Sequence, residues 1–142
     1  MVYTASGQYL AATRVANGAS SLVESKLYWA ACDSVDEARF LATVFNAPIA
    51  TQRLSSKQSR GQHNPRDFHK LVFQLPIPLF DSENSDHVAL AALGVRAEGV
   101  AAAVDVSDGA HFTALRRRTR EALQADGVLG EIDEAVRALL DR

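Results

Sequence analysis

Residues 26–48, KLYWAACDSVDEARFLATVFNAP, set a strand, a capped helix and a proline bend in order. Leu27, Tyr28 and Trp29 form a run suited to a β-strand, bulky and aromatic at successive positions. Ser34 then opens the pattern Ser34-x-x-Glu37, whose hydroxyl and carboxylate satisfy the free amides at a helix start. A helix is predicted from Val35 to about Asn46, with Ala38, Leu41, Ala42 and Phe45 on its expected core face and Arg39 pointing elsewhere. Pro48 cannot continue that hydrogen-bond ladder but suits the first turn of a new helix, predicted to end near Leu54. A strand leading into two short helices separated by a proline bend is the signature of a mixed, α+β chain.

Working toward the N-terminus, residues 3–15 read as a hairpin. Ser6-Gly7 is its turn, and Tyr9, Leu10, Thr13 and Val15 follow. A second turn is expected at Asn17-Gly18. Residues 21–23 and 26–32 then complete a small sheet of three or four strands.

Working toward the C-terminus, the polar stretch 55–64 has no apolar periodicity and contains Gly61, so it reads as a loop. A short turn is expected at 66–70 and a brief extended piece at 71–73. Leu75-Pro76-Ile77-Pro78 must be extended, because spaced prolines exclude helix. From Ser85 the pattern is helical, with Val88, Leu90, Ala91 and Leu93 before Gly94 and a further alanine-rich helix to about 104. Ser107 is the expected cap of a helix over 109–125. A last helix over 128–140 carries Leu129, Ile132, Val136, Leu139 and Leu140 on one side. The expected fold is α+β: a small, mostly antiparallel N-terminal sheet packed by helices, then a helical C-terminal portion. The expected division is a domain over 1–104 and a helical extension over 105–142.

A chain of 142 residues can bury a core without metal or disulfide support. The single cysteine, Cys32, cannot form an internal disulfide and is read as buried, which points to a reducing cytoplasm. No charged start precedes an apolar core near the N-terminus, and no apolar run approaches the roughly 18 residues needed to span a bilayer, so no membrane partner is expected. The formal net charge of −2 is unevenly spread. Over 51–70 the five cations Arg53, Lys57, Arg60, Arg66 and Lys70 face one carboxylate, Asp67. Over 81–108 six carboxylates face only Arg96. A local basic patch of this kind can touch phosphates even when the whole chain is acidic.

Other candidate chemistry is weaker. His63, His69, His87 and His111 do not match zinc spacings, and Cys32 lies far from them, so neither a metal site nor a Cys-His nucleophile is expected. Arg116, Arg117, Arg118 and Arg120 fall on a predicted helix at positions about 100° apart, which spreads them around it as a solvated face, with Arg117 and Glu121 spaced for an ion pair. Asp67 and Asp81 read as turn and cap residues. Of Tyr28 and Trp29, one faces inward and the other outward, since strand neighbours alternate.

With these residues in hand, the chain resembles the C-terminal, target-recognition region of bacterial N6-adenine DNA methyltransferases of restriction-modification or phage-defence systems. The resemblance rests on Leu27-Tyr28-Trp29-Ala30, Ser34 with Glu37-Ala38, Phe40-Leu41, and Val44-Phe45-Asn46-Ala47-Pro48. It continues through Arg60-Gly61, Arg66-Asp67-Phe68-His69-Lys70, Leu75-Pro76-Ile77-Pro78, Phe80-Asp81, and His87 with Leu93-Gly94, and covers about 2–104. The sequence departs from that family where catalysis would sit. It has no glycine-rich turn for S-adenosylmethionine and no Asn/Asp-Pro-Pro-aromatic motif; Asn64-Pro65-Arg66 lacks the second proline and the aromatic.

The resemblance therefore implies a non-catalytic recognition piece for double-stranded DNA. S-adenosylmethionine is then expected in an associated catalytic domain or subunit, not in this chain. The expected DNA-binding residues are Arg53, Lys57, Gln58, Arg60, Gly61, Gln62, His63, Arg66 and Lys70, because Arg and Gln can pair with base edges and Lys and Arg with phosphates. The alternative is a docking or scaffold domain of the same type of system, which meets a methyltransferase core through its sheet edge and alanine-rich helices without contacting DNA. An enzyme acting alone comes third.

Overall fold

The computed structural model describes residues 1–15, 22–58, 67–68, 70–107 and 109–142. Three short strands make one antiparallel sheet in the order β2-β1-β3: β1 (Val2–Thr4), β2 (Ala12–Thr13) and β3 (Leu27–Trp29). The hairpin over 3–15 is present, and Gly7 holds a φ of 142° in its connection, a value that a side chain would strain. The expected turn at Asn17-Gly18, with Ser21, lies outside the described residues. Leu22 and Val23 are not in a strand, so the sheet has three described strands, and β3 stops at Trp29 instead of reaching Cys32. Cys32 itself is half-buried, not enclosed.

Helix α1 (Val35–Asn46) begins as its pattern predicts. Ser34 Oγ accepts from Glu37 N at 3.0 Å, while the Glu37 carboxylate accepts from Asp33 N. The core face, however, is centred on Phe40 and Val44, both fully buried, together with Ala38, Thr43 and Phe45. Leu41 and Ala42 are only half-buried. The face rotates because α1 is clamped between the sheet and the later helices, so two sides of it meet protein.

Helix α2 (Pro48–Ser55) follows the bend, with its start capped from far away in sequence: Asp133 Oδ1 accepts from Ile49 N at 2.6 Å. The segment Leu71–Gln74 is a 3₁₀ turn, not the extended piece expected there. Phe68, Val72 and Leu75 are all buried, and that spacing of four and three brings side chains together only on a turn of helix.

Helix α3 (Ser85–Ala102) runs unbroken through Gly94, where the sequence suggested two helices. A Cβ at Gly94 would lie 2.5 Å from Thr43 Oγ1 and 3.3 Å from Arg39 O, so the glycine serves close packing against α1 and does not end a helix. Helix α4 (Phe112–Asp126) starts later than expected and is capped by His111. Gly109 has φ +65°, outside the helical region. Ser107 instead donates from N and Oγ to Asp105 Oδ1 at 2.8 and 2.6 Å, and these bonds lower the Asp105 carboxyl below its ordinary pKa. Helix α5 (Val128–Leu140) has the predicted bounds.

One cluster of buried side chains joins Tyr3 and Leu10 of the sheet region, Phe40 and Val44 of α1, and Val128 and Val136 of α5. No break in that cluster falls near residue 104. Within 105–142, α4 has no buried residue, whereas α5 fills the common core.

Candidate functional site

The basic segment is held by two buried stems. At its N-terminal end Leu54 is buried and Gln58 has only 9% of its surface exposed, while Lys57 between them is exposed. At its C-terminal end Phe68 is fully enclosed, its N–H donates to Ala5 O at 2.7 Å, and Asp67 bridges to Ser6. Lys70 follows, exposed. Lys57 and Lys70 thus stand in solvent at the two ends of a stretch whose bases are plugged into the core.

The remaining expected DNA-binding residues divide. Arg60, Gly61, Gln62, His63 and Arg66 lie outside the described residues, as do most of the polar stretch over 55–64 and His69. Arg53 is occupied: Nη1 donates to Leu140 O at 2.9 Å and Nη2 pairs with Asp141, tying α2 to the end of α5. Gln58 is turned inward, and its Nε2 has no hydrogen-bond partner among the described residues. A phosphate could reach Arg53 only by competing with that ion pair, and Gln58 meets DNA only if it leaves the core.

The sheet edge resolves the aromatic pair. Tyr28 lies directly opposite Tyr3 in register, and their rings stack at 5.7 Å between centroids. Tyr3 in turn meets Phe45 edge-on at 5.3 Å, so this is the core face. Burial, with Tyr28 beside it, raises the Tyr3 phenol above its ordinary pKa. Trp29 projects from the opposite face of the edge strand with 68% of its surface exposed.

His87 is a core residue. It is buried, its ring lies 4.8 Å from that of Phe40 at a tilt of 41°, and its Nδ1 accepts from Asp81 N at 3.1 Å. Among the described residues no group of three or more His, Cys, Asp or Glu side chains is placed to hold a metal, and no helix is long and apolar enough to cross a membrane.

Sequence reasoning missed a second feature, a cleft of about 520 Å³ between β2, α1, α3 and the underside of α4. Leu10, Ala42, Ala97, Leu115 and Ile132 are among its apolar walls, and Arg14, Arg39, Arg116 and Arg120 are its cations, with Glu98 as the one carboxylate. Arg14 holds Glu98 by two bonds, Nε at 2.8 Å and Nη2 at 3.2 Å, and Arg39 Nε lies 3.5 Å from the same carboxylate, too poorly aligned for a hydrogen bond. Arg116 and Arg120, four apart on α4, were the only sequence signal for it. No family model, curated protein or solved structure matches the chain.

Proposed function

We propose that this chain is a non-catalytic recognition module for double-stranded DNA, the target-recognition piece of an N6-adenine DNA methyltransferase of a restriction-modification or related defence system. The observation that carries the reading is the mounting of the basic segment. Lys57 and Lys70 are exposed beside the anchors Gln58 and Phe68, and four cations over 57–70 face the single carboxylate Asp67. A charged segment with fixed ends loses less freedom on meeting a duplex than one hung from a mobile base, and its phosphate contacts release counterions. Phosphate anchoring falls to Lys57, Arg60, Arg66 and Lys70, with Gln62 and His63 toward base edges; Arg53 and Gln58 support the stem from which they extend. The proposal includes a methyltransferase catalytic domain or subunit as partner, S-adenosylmethionine bound there, and a cytoplasmic location.

The test is fluorescence anisotropy of labelled duplex DNA at low and moderate salt. Binding should weaken as salt rises, and Lys57→Ala with Arg60→Ala should weaken it further and reduce the log–log salt slope by about 1.8. Unchanged binding by that double variant would sink the assignment.

One observation favours a second reading, docking onto a methyltransferase core without DNA contact. Trp29 stands exposed on the open edge of the sheet, beyond which β3 has no described strand partner. As the only tryptophan it reports directly: partner addition should shift its emission to the blue, and Trp29→Ser should lower partner affinity without altering DNA binding.

A further inference from the structure

We propose that the cleft under α4 is a binding site for a small organic anion, an apolar body carrying one phosphate or carboxylate head. The site stands apart from the proposed DNA-binding segment, with which it shares no residue.

Two arginines of α4, Arg116 and Arg120, lack an acidic partner among the described residues. Arg120 lies with its guanidinium 4.1 Å from the centroid of the Tyr9 ring, and Arg116 lies 5.3 Å from that of Phe112. Neither has a carboxylate within salt-bridge distance among the described residues, although Arg117, on the outer side of the same helix, pairs with Glu121. Stacking holds a guanidinium plane against an aromatic face and leaves its edge N–H donors unspent. Side chains four apart on a helix are neighbours, so Arg116 and Arg120 present two sets of such donors on one side of α4. Both arginines line the cleft, and guanidinium donors there are suited to bidentate capture of phosphate or carboxylate oxygens.

The rest of the cleft selects what is attached to that head. Its volume falls in the range that takes a drug-sized molecule, and its walls are mainly aliphatic. Polar side chains within it are largely committed: Asn46 donates to Ala12 O at 2.7 Å and to Ala42 O at 2.9 Å, and accepts from Ala12 N, while Thr119 Oγ1 donates to Leu115 O. A nucleobase would find few free donors and acceptors to read its edge, whereas an aliphatic or plain aromatic body needs none. On the inner wall Arg14 and Arg39 flank Glu98, so the field in the cleft is positive and the lone carboxylate does not repel an anion.

The probe for this is 1-naphthyl phosphate, followed by its own fluorescence and by calorimetry, with 1-naphthol and inorganic phosphate as its two halves. One molecule should bind per chain, and each half alone should bind at least about tenfold more weakly. Arg116→Gln with Arg120→Gln should weaken 1-naphthyl phosphate at least about tenfold and leave 1-naphthol unchanged. Ala101→Phe, which fills the wall while sparing the arginines, should abolish binding of both aromatic probes. Failure of 1-naphthyl phosphate to bind overturns the proposal, as does equal affinity in the double arginine variant. Loss of duplex-DNA binding in that variant, with no competition between DNA and 1-naphthyl phosphate, also overturns it by assigning these arginines to a DNA backbone.

Discussion

Asn46 shows how much a single side chain does at the residue scale. It closes α1 and pairs with both backbone groups of Ala12, standing where a further strand would lie against β2. Asn46→Ala should cost about 2 kcal/mol, because it leaves a part-buried N–H and C=O without partners, and urea denaturation would measure it. Glycines give a paired prediction. Gly94→Ala should destabilise by about 1–3 kcal/mol, since its Cβ meets Thr43 Oγ1 at 2.5 Å, while Gly99→Ala, with open space around it, should stabilise by up to about 1 kcal/mol. If both substitutions stabilise in thermal melts, the close approach of α1 and α3 is wrong. Tyr3 supplies a pH dependence. Its folded phenol sits above the ordinary value near 10, so its contribution is fully present below that value and is lost as pH rises through the raised one. Tyr3→Phe should remove that alkaline component from the stability profile.

At the scale of elements, helix ends are satisfied from distant parts of the chain. Asp133 of α5 caps α2, and Arg53 of α2 returns two bonds to the end of α5. Asp133→Ala should cost about 1–2 kcal/mol and Asp133→Asn less, because the amide keeps an acceptor for Ile49 N; equal losses in chemical denaturation would place the effect in charge and not in the cap. Arg96 of α3 holds the corner between α4 and α5, donating to Glu131 at 2.8 Å and to Asp126 O at 2.9 Å around Gly127 at φ +89°. The same corner lets α4 lie over the cleft without a buried residue of its own. A helix held by its ends and by half-buried side chains is free of the packing that would fill the space beneath it.

For the whole molecule, the common core makes the C-terminal helix part of the folding unit. Val128 and Val136 are fully buried among residues of the sheet region and of α1. A chain ending at residue 104 should therefore show no cooperative urea transition by circular dichroism, because it would leave that apolar surface open. A cooperative transition of ordinary steepness would support the expected boundary at 104. The charge distribution acts at the same scale: the basic stretch begins on α2, whereas the acidic residues follow the prolines. Two of those carboxylates, Asp86 and Glu98, are held by Arg142 and Arg14 within the fold.

Elements whose causes are local are legible in the chain alone. The Ser34 cap, the Pro48 bend and the 128–140 helix are each specified by neighbours within a few residues and stand where they were read, whereas the hairpin is present with a longer connection and a second strand of only Ala12–Thr13. Tertiary structure decided whatever depended on a partner far along the chain. Which face of α1 is buried follows from what packs on both its sides. Gly94 sits inside one helix because Thr43 passes close to it, Arg53 turns to the C-terminus because the end of α5 is there, and Gln58 is buried in the core. The cleft belongs to the same class: Tyr9 and Arg120 are more than a hundred residues apart, and only the fold stacks one on the other. Local free energies are written in short patterns, while burial and charge pairing are sums over whatever the folded chain brings together.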